Sequence, residues 1–344
     1  MKPLVLAIAL ALATPLCALA QSQTSAAPTA SAAVKPSPAW VDKSNEYAMV
    51  LIKAQAAFAP EGFSFFGIPG YDDQVTDLNP GTTERFRAAT AAAKTQLEQK
   101  LQTERDPNVR QDLEILIGAA ADAIETSEIN ERLALAYTDA PQLVFTGMQG
   151  LLSKQTPADR QAKAVDRLKR YVGMTAGTTP LMTLARQRYE ERMGDKALVR
   201  PTKLEVDQAL QNVDTYAAGV RKLFAEFKIG GADEALNALD KQMKDYASWT
   251  RTTVLPTARN DTKLPPDLYA NQLKQIGIDI DPKLLMQRAQ LEFMETRAAM
   301  QEIAPLVAKQ KNIAAIDYRD VIRALKKDSI PNDKLEAAYR TVID

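Results

Sequence analysis

The chain has no histidine, and its one cysteine, Cys17, sits in an apolar stretch near the N-terminus. Those two scarcities remove most familiar reaction centres. A Ser-His-Asp or Cys-His arrangement cannot be assembled without an imidazole. The H-E-x-x-H zinc helix is excluded, as is any transition-metal site anchored on histidine. "GFSFFG" around Ser64 misses the G-x-S-x-G spacing by one residue and has no imidazole to activate its serine. No S-x-x-K, no G-x-x-x-x-G-K-[ST] and no G-x-G-x-x-G occurs. Charge of one sign is missing too: 43 basic residues balance 43 acidic ones, with no long basic run. That gives no electrostatic case for nucleic acid or an anionic membrane as partner. Strand signals are scarce, with no run of alternating β-branched residues and no Asn-Gly or Asp-Gly hairpin. No fixed-period repeat is visible, and the roughly 34-residue pattern of tetratricopeptide arrays is missing.

What is present begins with a targeting segment. Lys2 is a minimal positive region, "LVLAIALALA" is an apolar core, and Ala18–Ala20 give a small-x-small cleavage pattern before Gln21. The apolar run is too short to span a bilayer. Residues 1–20 therefore read as a signal peptide, and the mature chain as periplasmic or secreted. The alternative is lipidation at Cys17, against which Leu16 is too large for the preceding position. Cleavage near Ala20 removes Cys17 and leaves no thiol for a disulfide or a metal. Residues 21–39, rich in Ala, Ser, Thr and Pro, form a flexible leader.

From Trp40 onward the 46% hydrophobic, 25% charged composition is globular and the pattern is helical. Asp106-Pro107, Thr156-Pro157, Thr179-Pro180 and Asp281-Pro282 each place an N-cap oxygen before a proline at the first helical position. Leu204, Leu210, Val213, Tyr216, Val220, Leu223 and Phe227 recur at helical spacing. So do Leu285, Ala289, Phe293, Thr296, Met300, Ile303 and Val307, with Pro305 expected to kink or break their helix near Gln301. A final helix after Asn332 or Asp333 carries Leu335, Ala338, Tyr339 and Val342 and meets no glycine stop. The fold class read from these signals is all-α: an array of ten or more helices over 40–344, with little or no sheet. One long ordered loop, near residues 59–81, interrupts it.

Carboxylates are the chemistry left open. A paired acid and base can cleave glycosidic bonds without histidine, but the Glu-Ser dipeptide typical of helical lytic transglycosylases is missing. Asp72, Asp73 and Asp77 lack the spacing of an EF-hand and read better as turn and cap residues. "IDIDP" near Asp281 fails the same test, and a cap there suffices. "DRLKRY" and "RQRYEERM" read as solvated helix faces laced with weak ion pairs, with a carbohydrate or peptide site as the alternative.

The order of these blocks resembles the bacterial domain-of-unknown-function family 885. "FGIPGYDDQVTDLNPGTTERF" is similar to that family's glycine-containing loop with its Tyr-Asp-Asp stretch. "DPNVRQDLEILIGAA" resembles its next helix, and "TRTTVLPTARNDTKLPPDLYANQLKQIGIDIDPKLLMQRAQLEFMETRAAMQEIA" its central block. The resemblance implies the N-terminal helical part of an all-helical, gluzincin-like zinc peptidase fold. In full-length members the His-rich zinc helix lies downstream of the matched blocks. No position here matches it, so no catalytic residue, no metal ligand and no cofactor is carried over. A chain of this kind is expected to be inactive alone, its last helix marking a break before the metal site. The implied partners are a separately encoded C-terminal half or a peptide ligand. A self-sufficient periplasmic binding or scaffold protein is the alternative, and a carboxylate-based hydrolase the third. The resemblance singles out Tyr71, Asp72 and Asp73 as the candidate functional loop.

Overall fold

The computed structural model describes residues 38–278, 280–327 and 329–343. The stretches read from the sequence as a signal peptide and a leader lie, up to residue 37, outside the described residues. The helices are α1 (Ala39–Ala56), α2 (Pro60–Phe65), α3 (Thr82–Thr103), α4 (Pro107–Leu133), α5 (Ala140–Leu151), α6 (Ala158–Gln161), α7 (Ala164–Tyr171), α8 (Leu181–Glu190), α9 (Lys203–Glu226), α10 (Asp233–Trp249), α11 (Pro266–Gln275), α12 (Pro282–Gln310), α13 (Tyr318–Leu325) and α14 (Leu335–Ile343). The fold is all-α. No strand occurs among the described residues, and only isolated bridges join Ala134 to Val199 and Thr202 to Arg259. None of the described helices is long and apolar enough to cross a membrane.

Local chemistry explains the helix starts. Asp106 accepts the backbone N–H groups of Asn108 and Val109, and Pro107, which has no N–H to satisfy, opens α4. Asp281 does the same for α12 through Lys283 and Leu284. Thr202 builds a full capping box with Glu205 at the head of α9. The two Thr-Pro pairs behave differently from the expectation. Pro157 and Pro180 themselves hold the N-cap positions of α6 and α8, in extended backbone, and no side-chain cap forms. The Thr156 hydroxyl is instead 2.9 Å from that of Ser153. Thr-Pro thus marks these boundaries without capping them.

Contacts divide the chain into two compact units, Met1–Gly277 and Ile278–Asp344. The first contains two hydrophobic clusters. One is built by α1, α3 and α4 around Leu51, Ile52, Leu97, Leu113 and Leu116. The other is built by α5 and α7–α10 around Val144, Met148, Leu168, Tyr189, Met243 and Trp249. Each such fully buried side chain stabilises by about 1.5–3 kcal/mol before entropy is subtracted. The loop expected near residues 59–81 is shorter, because Pro60–Phe65 folds as α2; residues 66–81, between α2 and α3, form the ordered loop, here called the strap. Ile68 and Tyr71 of the strap pack on the first cluster and Val75 and Leu78 on the second, so the strap is shared by both.

In the second unit, α12 and α13 pack through Ala304, Ala308 and Val321. α12 runs to Gln310 with Pro305 inside it, so no break occurs near Gln301. An internal proline costs about 3 kcal/mol. Burial of the alanines beside it offsets part of that cost, as do the hydrogen bonds of Gln301 to the Ile316 carbonyl and the Tyr318 N–H.

Candidate functional site

The strap is held by the side chains beneath it. At the head of α2, Glu61 accepts three hydrogen bonds: from the Thr76 N–H at 2.8 Å, the Thr76 hydroxyl at 2.7 Å and the Tyr171 hydroxyl at 2.8 Å. Tyr171 ends α7 and is fully buried. Burial, together with the nearby Glu61 carboxylate, pushes its phenol well above the usual range, so it remains a proton donor. Gly147 of α5 makes room for that hydroxyl, because a Cβ there would overlap it.

Three arginines from α6 and α7 then meet three consecutive strap residues. Arg160 grips Asp72 bidentately, Nε at 2.8 Å and Nη2 at 2.7 Å, and Nη2 also reaches the Ser64 carbonyl at 2.6 Å. The Ser64 hydroxyl donates to the same carboxylate at 2.7 Å. Arg167, with no exposed surface, donates to the carbonyls of Tyr71 at 2.7 Å and Gly147 at 2.9 Å. Arg170 reaches Asp73 at 3.3 Å. Burial works to raise the Asp72 carboxyl, but the bonds from Arg160 and Ser64 outweigh it and hold it below the usual carboxylate range. Asp77 is lowered in the same way, its burial outweighed by Arg85 and by the N–H and amide of Asn79.

A cleft of about 300 Å³ opens beside the strap. Asp73, Gln74, Val75, Thr76 and Asp77 of the strap line it together with Arg170, Thr178, Thr179 and the α8 residues Leu181 and Leu184. The turn behind it depends on Gly173, at φ +74°, where a Cβ would lie 2.6 Å from the Pro180 ring.

The three residues singled out from the sequence therefore have different surroundings. Tyr71 packs its ring against Phe63 in a tilted pair, 48° between planes and 6.2 Å between centroids, and its carbonyl accepts from Arg167. Asp72 is buried in the bidentate clasp. Asp73 alone lines the cleft. Among the described residues no group of three His, Cys, Asp or Glu is placed to hold a metal ion. "DRLKRY" is not the solvated face expected of it. Ala164, Arg167, Leu168 and Tyr171 follow i, i+3, i+4, i+7 and are all buried. Reading Arg167 and Tyr171 on the apolar stripe would have found them. "RQRYEERM" fits better, with Arg186–Glu190 and Arg188–Glu191 ion pairs, although Tyr189 is buried within the core.

A second group of polar residues lies at the start of α5. Asp139 caps that helix by accepting the Gln142 N–H at 3.1 Å, near Tyr137, Tyr216 and Tyr246. Burial raises its carboxyl above the usual range; the cap bond opposes this and the charge of Glu205 adds to it.

The model of a family described as "Bacterial protein of unknown function (DUF885)" matches residues 60–344. The chain belongs to DUF885. The match begins at Pro60, so the strap, its three arginines, the cleft and the second unit all fall within the DUF885 region, while α1 precedes it. No curated protein matches the chain.

Proposed function

We propose that this DUF885 chain is the helical, non-reacting part of a peptidase-like protein of the periplasm, and that it holds a ligand instead of transforming one. The observation that carries this reading is how the strap's acids are used. Asp72 and Asp77 are held ionised by arginines, Glu61 accepts three hydrogen bonds, and Asp73 faces Arg170. A general acid needs a carboxyl raised toward neutrality, and the two shifts at the strap run the other way. The same ties fix the shape of a cleft, as a binding site requires. The test is to incubate the purified mature chain with a mixed peptide library, with and without added Zn²⁺, and to record its thermal melt. A cooperative melt without cleavage is expected. Cleavage abolished by one Asp or Glu substitution would overturn the reading.

Asp139 favours the carboxylate-hydrolase alternative, since burial raises it. Hydrolysis of peptidoglycan or peptide that disappears in Asp139→Asn would establish that alternative. The N-cap bond to Gln142 already accounts for the residue without it.

A further inference from the structure

We infer that Arg170 is a receptor for a ligand carboxylate on the wall of the strap cleft, and that Asp73 is the resident group which a ligand displaces. This goes beyond a general binding role, because it names the chemistry recognised and the residue that recognises it.

The inference comes from comparing the three strap arginines. A guanidinium carries five N–H donors in a rigid fork that matches a carboxylate bidentately. Arg160 uses that fork fully on Asp72, in a pair whose side chains are 21% and 10% exposed. Arg167 is buried and committed to two main-chain carbonyls. Arg170 makes a single bond of 3.3 Å to Asp73, and the two side chains are 37% and 34% exposed. Of the three, it alone lines the cleft. Its geometry is that of a carboxylate receptor filled by a poorly seated carboxylate.

Displacement is electrostatically simple. An incoming carboxylate replaces one already there, so the charge facing Arg170 is unchanged, while Asp73 turns to solvent it already meets. An exposed pair of this kind is weak. The exposed Thr179 lines the same cleft and brings a second donor, and Val75, Leu181 and Leu184 offer apolar surface to a short carbon chain. The cleft is at the small end of ligand sites. It suits either the terminal carboxylate of a peptide or a small dicarboxylate.

The experiment is calorimetric titration of the mature chain with succinate and with acetyl-trialanine, against succinamide and acetyl-trialanine amide. Both sources share the carboxylate, so binding of either acid with no binding of its amide supports the inference, and the tighter acid identifies the source. Arg170→Gln is expected to lose at least ten-fold in affinity. Asp73→Asn is expected to gain up to about five-fold, because the resident competitor is gone. Equal binding of acids and amides, or no binding of either acid, would overturn the inference. Weaker binding to Asp73→Asn would do so as well, since it would make Asp73 part of the receptor. The peptide-cleavage assay reads the broader scaffold role separately, so the two can fail independently.

Discussion

Replacing Asp72 with Asn tests whether the strap is clamped as described. Asp72 accepts three hydrogen bonds, two from the Arg160 fork and one from the Ser64 hydroxyl. An asparagine has the same shape but turns one acceptor into a donor aimed at a guanidinium, and removes the charge. Breaking a buried ion pair from one side costs about 3–5 kcal/mol, and a bond to a charged group contributes about 1.5–3 kcal/mol. The pair is 21% and 10% exposed, so solvent screens part of this. We expect a loss of about 2–4 kcal/mol, read as the shift in urea midpoint at constant slope. At about 2–4 °C per kcal/mol for a unit of this size, the melting temperature should fall by about 5–15 °C. Arg160→Met should cost a similar amount. The double variant should cost less than the sum by about 1–3 kcal/mol, because neither partner is left alone. The sign with pH is fixed too. A carboxyl lowered in the folded state contributes stability above its unfolded value, near 3.8, and loses it as pH falls. The gap between wild type and Asp72→Asn should therefore close below about pH 4. A loss under about 0.5 kcal/mol, or additive costs in the double variant, would refute the clamp.

Glu104, which accepts Lys43 at 2.7 Å and the N–H groups of Arg105 and Asp106, is lowered to about 2, chiefly by Lys43. It should contribute stability above about pH 4.5 that is lost between there and about pH 2; urea midpoints of Glu104→Gln should match wild type at the acid end and fall below it at pH 7. Asp139 has the opposite sign: its raised carboxyl makes the fold less stable as pH rises through its titration, so Asp139→Asn, which keeps the cap, should melt higher than wild type at pH 7 and not at pH 3. Gly147→Ala should push the Tyr171 hydroxyl off Glu61 and cost about 1–3 kcal/mol by the same urea assay, with an added change in near-ultraviolet dichroism. On α12, Phe293 is 65% exposed, so Phe293→Glu should leave the melting temperature within about 2 °C while lowering light scattering at high concentration.

The helices were legible because their signals are local. Asp106-Pro107 and Asp281-Pro282 each act within four residues and start their helices where expected, and the Thr202/Glu205 box at the head of α9 acts over as short a span. The strap was legible only as a loop. Glu61 and Ser64 hold it from nearby, but the arginines that grip it come from 88 to 97 residues downstream: Arg160 to Asp72, Arg167 to Tyr71 and Arg170 to Asp73. No spacing rule connects those positions, so the loop residues stood out while the side chains that hold them did not. Arg167 is the sharpest case. A charged residue in a charged run reads as solvated, yet this guanidinium lies fully inside, donating to two carbonyl oxygens and within reach of the Asp72 charge.

Two helices with the same periodicity show what a pattern can and cannot establish. α9 and α12 both carry apolar residues every three or four positions. On α9, Val206, Val213, Val220 and Phe224 are buried, although Leu204, counted in the stripe, is 63% exposed. On α12, Phe293, Met294, Ile303 and Leu306 remain exposed, and burial is confined to Ala304 and Ala308. A hydrophobic period measures the asymmetry of one helix. Burial also requires a second surface to cover the stripe, and that surface is encoded elsewhere in the sequence. α9 has it in α5, where Phe145 stacks on Tyr216 at 5.3 Å and Gly219 leaves room for the ring. Within its own unit α12 has α13, which meets only its final turns. The stripe on α12 is therefore a sound helix signal, and by itself it does not locate a core.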